Sequence, residues 1–269
     1  MPEYHDEELL VLTKTYPNPS RSYRETVCVV AVNKNRELRR LYPIQFRFLS
    51  GDKQFKKWQW INAKISRSSD KRIESHNIDN DSIILGDVIK THHDWSERLS
   101  WVESNIYPDF ATLEYSRTSA GVSLGFIKPE SVTLEVVKAK SSEWSPSQLQ
   151  SLTKEGLFDL SINGSRQVVK KLPYDFYYQF LDSESKQDLR LLLTDWEVGA
   201  LFWRCQSQYG IKWETKMREK LEIEFNKKNL HLLLGTVHRF PNQWLIVGLC
   251  YPPHLSSQLE LPLGSADLQ

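Results

Sequence analysis

Short apolar runs broken by turn residues fill the first third of the chain, and this pattern predicts strands. Val11 to Thr13 precedes a Pro-Asn-Pro-Ser turn, and Glu25 to Val32 forms the next run. The Asn33-Lys34-Asn35 tip then leads into Arg39-Arg40-Leu41-Tyr42-Pro43 as a hairpin, with Leu38, Leu41 and Ile44 continuing the sheet. Phe55 to Arg67 alternates strictly, so its apolar residues fall on one face of a further strand. From His92 to Tyr107 the period changes: Trp95, Leu99, Val102 and Ile106 recur at the three-to-four spacing of a helix that stops before Pro108. Ser123 to Lys128 and Ser131 to Lys138 return to strand character. The expectation is an N-terminal OB-like β-barrel or sandwich over residues 9–140, with one inserted helix.

Ala139 to Gln150 is polar and reads as a linker or domain edge. Beyond it, Tyr174 to Phe180 and Gln187 to Leu193 predict two strands around the turn at 182–185. Thr194-Asp195-Trp196-Glu197 fits a capping box opening a helix that Gly210 ends. Ile211 to Phe225 predicts a second, strongly charged amphipathic helix, and Leu230 to Val237 with Gln243 to Tyr251 a closing strand pair. Residues 151–254 are thus expected as a smaller α+β domain, and 255–269 as a flexible tail. The fold class overall is α+β.

Nine tryptophans among 269 residues, with 40% hydrophobic content, argue for a folded chain with substantial cores. The first residues carry acids where a secretory signal carries bases, and no window holds enough uninterrupted apolar residues to span a bilayer. A cytoplasmic protein without membrane contact is the expectation. Cys28, Cys205 and Cys250 each sit in an apolar run and read as small buried hydrophobes rather than reactive thiols.

Charge changes the picture more than composition does. Fifteen Lys/Arg stand against four Asp/Glu between Lys14 and Arg72, a net of +11 in a chain whose formal charge is +1. Ile73 to Glu135 reverses this with four against eleven, a net of −7. A basic stretch interleaved with aromatics suits a single-stranded polyanion, because cations neutralise phosphates while rings stack bases. The candidate contact residues are Arg39, Arg40, Tyr42, Phe46, Arg47, Lys56, Lys57 and Trp58. The alternative is a face whose charges are satisfied by the acidic segment that follows.

Catalytic signatures are lacking. No phosphate-binding glycine loop and no nucleophile elbow occurs. His92 and His93 are adjacent, with no cysteine or third histidine at ligand spacing, so neither a metal nor a cofactor is expected. Asp195 and Glu197 are explained by a helix start, which leaves a metal nuclease using them with Glu224 as the weakest reading.

Two segments carry a resemblance. ETVCVVAVNKNRELRRLYPIQFRFL with its Arg-Leu-Tyr-Pro turn, and the C-terminal TDWEVGALFW and HLLLGTVHRFPNQWLIVGLCYPP, resemble a pattern found in uncharacterised prokaryotic defence-associated proteins. Cys28-Val29-Val30 and Leu38 to Pro43 are more loosely similar to dual OB-fold proteins linked with nucleotide modification. The resemblance implies an anti-phage or CRISPR-accessory setting. The sequence therefore predicts a non-catalytic nucleic-acid-binding accessory protein that prefers single-stranded DNA or RNA and has a protein partner. The alternative is a regulatory subunit that binds a partner protein and no nucleic acid.

Overall fold

In the computed structural model, which describes residues 3–91, 95–153, 167–182 and 184–254, the apolar runs of the first half become seven strands. They are β1 (His5–Lys14), β2 (Asn18–Ser20), β3 (Arg24–Asn33), β4 (Leu38–Ile44), β5 (Gln59–Arg67), β6 (Ser75–Ile78) and β7 (Ile84–Val88). Five of them close a mixed barrel in the cyclic order β1-β3-β4-β6-β5-β1, where β4 and β6 run parallel and the remaining pairs antiparallel. β2 and β7 are additions on β3 and β5. Alternation in β5 points Ile61, Ala63 and Ile65 inward and leaves Asn62 and Lys64 outside. Leu9, Val11, Val27, Val29, Ala31, Leu41 and Ile44 complete that interior.

Helix α1 (Ser96–Val102) follows the last strand of this barrel, and α2 (Phe110–Ala120) begins the second half. Asp109 caps α2 by accepting from Thr112 N, and Gly121 ends it in the left-handed region. Then come β8 (Leu124–Ile127), β9 (Pro129–Lys138), α3 (Pro146–Leu152), β10 (Tyr174–Asp182), β11 (Asp188–Leu192), α4 (Trp196–Tyr209), α5 (Trp213–Arg218), β12 (His231–Val237) and β13 (Phe240–Cys250). β8 pairs with β12 and β9 with β10, so these two strands belong to the second half rather than to the first domain in which the sequence placed them. The linker expected at Ala139 to Gln150 lies inside this half, and part of it forms α3 behind a Ser145/Gln148 capping box. The expected tail, 255–269, and residues 92–94 of the expected helix lie outside the described residues.

The antiparallel sheets β11-β10-β9 and β13-β12-β8 share the chain where β8 runs into β9. They meet again at a parallel bridge between Leu193 and Ile246. The resulting order, β8/β9-β10-β11-β13-β12 and back to β8, repeats the cyclic order of the first half. Its interior is filled by Ile127, Leu134, Phe176, Tyr178, Phe180, Leu232, Leu234 and Ile246, with α4 covering one mouth through Val198, Leu201 and Phe202. After α5 the chain passes through a π-helical turn, Glu219–Glu224, and a 3-10 turn, Phe225–Lys227, instead of the single helix expected over 211–225. The wider turn sets Glu222 and Asn226 along the edge of β9. There Asn226 exchanges two hydrogen bonds with Val132 and Glu222 accepts from Leu134 N, so the strand edge is satisfied by side chains.

A third core lies between the halves. Leu10 and Leu12 of β1, Val30 and Val32 of β3, and Leu38 of β4 point out of the first barrel onto Leu124 and Phe126 of β8, Leu233 of β12 and Val247 of β13. This explains why TVCVVAV in β3 is apolar at consecutive positions: both of its faces are buried.

Candidate functional site

The basic stretch supplies most of the polar contacts along this seam. Lys57 Nζ donates to Leu249 O at 2.7 Å and lies 3.3 Å from Glu197 Oε2 and 3.7 Å from Asp195 Oδ2. Asp195 in turn accepts from Leu249 N at 3.1 Å and, as the cap of α4, from Glu197 N at 2.8 Å. The Thr13 hydroxyl lies 3.3 Å from Asp195 Oδ2 and 3.0 Å from Val247 O. The capping residue is therefore Asp195 and not Thr194, whose hydroxyl donates to Ile246 O. Burial works against the Lys57 charge, but the Asp195 and Glu197 carboxylates outweigh it and hold the ammonium above the usual lysine range. Burial pushes the Asp195 carboxyl upward, opposed by Lys57.

Two further joints repeat the arrangement. Arg40, only 4% exposed, donates to Ser123 O at 2.8 Å, while Ser123 donates through N and Oγ to the buried Glu74 carboxylate at 2.8 and 2.6 Å. Arg72 pairs with Asp70 at 2.5 Å and donates to Thr236 O at 2.6 Å, and His238 Nδ1 stands 3.1 Å from the same Asp70. Burial would raise the Asp70 carboxyl, yet the Arg72 hydrogen bonds outweigh it and hold the group well below the usual carboxylate range.

The eight residues predicted to contact a polyanion are thus not assembled on one solvent-facing surface. Arg40 is buried and Lys57 half-buried in the seam, and Trp58, 2% exposed, packs its ring against Trp95 and under Arg98. Arg39 pairs with Glu7 and Glu37, and Arg47 with Glu25, so both cations are neutralised within the first half. Phe46 is half-buried against Phe55 and Trp196. Tyr42 and Lys56 are exposed. The physical reason is that cations able to reach both a carboxylate and a backbone carbonyl at a closing seam lose less than they would in forming an isolated buried charge. Glu224 pairs with Lys220, so it does not converge with Asp195 and Glu197. Among the described residues no three His, Cys, Asp or Glu side chains are grouped to hold a metal. Cys205 and Cys250 are buried as expected, with the Cys250 thiol pushed up to about 12 by burial, while Cys28 is half-buried. No helix among the described residues is long and apolar enough to cross a membrane.

A different surface is left uncovered by the described residues. On the outer side of β9, β10 and β11, Tyr177 stands opposite Glu135 and Leu192, and Gln179 stands opposite Thr133 and Arg190. The Arg190 guanidinium lies 3.7 Å from the Tyr177 ring centroid and binds Glu135 at 2.6 Å, and Gln179 donates to Glu135 at 3.0 Å. Gln179 and Arg190 are exposed and Tyr177 is half-buried. Their inward neighbours Phe176, Tyr178, Phe180 and Leu189 are core. Sequence reasoning passed over these residues, although the alternation in YDFYYQF separates Tyr177 and Gln179 from their buried neighbours.

Comparison with family models divides the chain where the strands do. A model described as a domain of unknown function (DUF8758) matches residues 5–104, and one described as a domain of unknown function (DUF8757) matches residues 110–264. The second covers more than half of the chain. The chain belongs to the DUF8757 family. No curated protein matches it. The DUF8757 portion carries the open sheet, and the seam joins it to the DUF8758 portion.

Proposed function

We propose that the protein is a non-catalytic cytoplasmic accessory subunit that binds another protein through the outer face of β9, β10 and β11. Both halves are OB-like. Numbering the barrel strands of each half one to five, each has the order 1-2-3-5-4-1 with a parallel meeting of strands three and five. In that architecture the outer face of strands two and three receives ligands. In the first half this face is β3 and β4, and the chain's own second half covers it. In the second half it is β10 with β11, and among the described residues it is open.

The observation that carries the choice of partner is charge. Nucleic-acid affinity depends on cations available to phosphates, whereas the cation on the open face, Arg190, is already paired with Glu135. A tyrosine and an arginine stacked on a sheet beside half-exposed Val137 and Leu192 are the residue types that anchor protein interfaces. The prokaryotic defence setting implied by the sequence motifs is carried as part of this reading.

A second reading, single-stranded nucleic-acid binding by the first barrel, is favoured by the exposed Tyr42 and Lys56, together with Lys64, Arg67 and Lys71. One experiment separates the two. The tagged protein is purified from its native lysate under gentle cross-linking, and labelled single-stranded DNA and RNA are titrated separately over a salt series. A stoichiometric protein complex abolished by Arg190→Glu, with no salt-dependent anisotropy change, supports the first reading. Steep salt-dependent binding that Lys56→Glu weakens and Arg190→Glu leaves alone overturns it.

A further inference from the structure

The outward row of β3 is fully buried at Val32 and Val30, which face the seam, and by the two-residue period of a strand it continues to Cys28. At that position the cover is incomplete. Cys28 is half-buried, whereas Cys205 and Cys250 lie inside the cores. Its N–H donates to the Thr15 hydroxyl at 3.0 Å and its carbonyl accepts from Thr15 N at 2.9 Å, which fixes the residue in the sheet. The apolar run TVCVV gives no reason to expect a charge there, but the fold sets a cation beside the sulfur.

That cation is Arg40, which stands opposite Val30 on β4 and reaches diagonally across the strand pair to Cys28. Its Nη1 lies 3.8 Å from Cys28 Sγ and has no other acceptor among the described residues. Nη2 donates to Ser123 O at 2.8 Å and lies 3.2 Å from Ser123 Oγ, while Nε is buried without a hydrogen-bond partner among the described residues. No carboxylate among them pairs with the guanidinium, and Glu74 is reached only through Ser123. A guanidinium carries five N–H donors, and sulfur is a weak acceptor. Arg40, only 4% exposed, is therefore a buried cation short of acceptors, and the group its fork meets without a proper bond is the Cys28 thiol.

We propose that Cys28 is a site of oxidation by a small hydroperoxide, which converts the thiol to a sulfenic acid whose oxygen is held by Arg40. The sulfur attacks one peroxide oxygen, the O–O bond breaks and an S–O bond forms. The second oxygen leaves with the thiol proton, as water from hydrogen peroxide or as an alcohol from an alkyl hydroperoxide. Sulfur gives up two electrons and the peroxide takes them. A further thiol can return the product to the reduced form through a mixed disulfide. The new oxygen is the acceptor that Nη1 lacks, and the adjacent positive charge favours the electron density that develops on it. Arg40 also holds Ser123, so the oxidised thiol and the joint between the halves share one cation.

The test exposes the intact, reduced protein to hydrogen peroxide in the presence of dimedone, which traps sulfenic acids, and follows all three cysteines by peptide mass mapping. Glutathione treated in parallel sets the scale, because limited access alone makes a half-buried thiol slower than a free one. With Arg40 assisting, Cys28 is expected to be labelled about tenfold or more faster than glutathione, the factor that a hydrogen bond to a charged group supplies. Cys205 and Cys250 should stay unlabelled over the same period. A Cys28 rate at or below that of glutathione, or label that reaches Cys205 or Cys250 first, overturns the proposal. The comparison is made on the native chain and does not depend on any variant folding.

Discussion

The outer face of β3 and β4 and the outer face of β10 and β11 hold the same place in the two strand orders, yet one is apolar and covered while the other is mixed and open. The difference lies in the strands themselves. β3 is apolar at consecutive positions, and its Val30 and Val32 lie against the second half. β10 alternates, so Phe176, Tyr178 and Phe180 are core while Asp175, Tyr177 and Gln179 stay outside. A sheet with two apolar faces must find a second layer, and in this chain the layer is the other half. A sheet with one polar face need not. The seam is therefore structural, and function is sought on the face left free.

The largest effects should come from the charges buried in that seam. Lys57→Ala leaves the Asp195 carboxylate, its side chain 1% exposed, without its cation. Removing one partner of a buried pair costs about 3–5 kcal/mol, so the urea midpoint should fall steeply. Lys57→Met with Asp195→Asn, which removes both charges and keeps an acceptor for the α4 cap, should recover part of the loss. If Lys57→Ala is as stable as the parent, the charges do not join the halves. Leu10→Ala removes apolar packing between the same layers and should cost about 2–5 kcal/mol, with dye binding reporting newly exposed seam surface. A loss under about 1 kcal/mol would mean that the outer face of β1 is not a core.

Gly248→Ala sharpens the comparison at closer range. An added Cβ would meet Thr13 Cβ at 2.8 Å, so β13 would have to move off β1. Overpacking of this kind costs about 1–3 kcal/mol. Thermal melts that show Gly248→Ala unchanged would mean that the seam yields at this point.

Acid should loosen the third joint more gently. The folded Asp70 carboxyl lies below its unfolded value near about 3.9, so its contribution is complete above that pH. It declines as the pH falls through and below it. Asp70→Asn should therefore flatten the acid limb of a stability-against-pH curve and leave its neutral part parallel to the parent's. A parent-like acid limb in the variant would assign the acid sensitivity to other carboxylates.

The strands were legible because local pattern decides them: the runs at Glu25 to Val32, Tyr174 to Phe180 and Gln187 to Leu193 fold as strands, and Phe55 to Arg67 does so from Gln59 onward, after Trp58 has turned the chain through the left-handed region. What joins to what was not. Ser123 to Lys128 reads as a strand in either half, and only its hydrogen bonds to β12, distant in sequence, assign it to the second. The pairing of the basic stretch was illegible for a related reason, since a charge count records cations and not the carbonyls and carboxylates that reach them. Arg40 finds Ser123 and Glu74, and Lys57 finds Asp195, Glu197 and Leu249, through contacts that exist only once both halves have closed.

The smallest effect on stability should fall on the open face, and there the comparison becomes functional. Arg190→Glu breaks an exposed pair with Glu135, and exposed pairs contribute about 0–1 kcal/mol. Tyr177→Ala removes the half-buried ring against which that arginine stacks. Melting temperatures of Arg190→Glu should stay within a few degrees of the parent. A partner-binding protein should nonetheless lose its complex, because an arginine stacked on a tyrosine is the kind of anchor whose truncation costs about 2 kcal/mol or more at an interface. Matching substitutions on the first barrel, Tyr42→Ala and Lys56→Glu, should leave that complex intact. If they abolish binding while Arg190→Glu does not, the free face of the second half is surface without a ligand, and the contact lies on the first barrel's remaining exposed side.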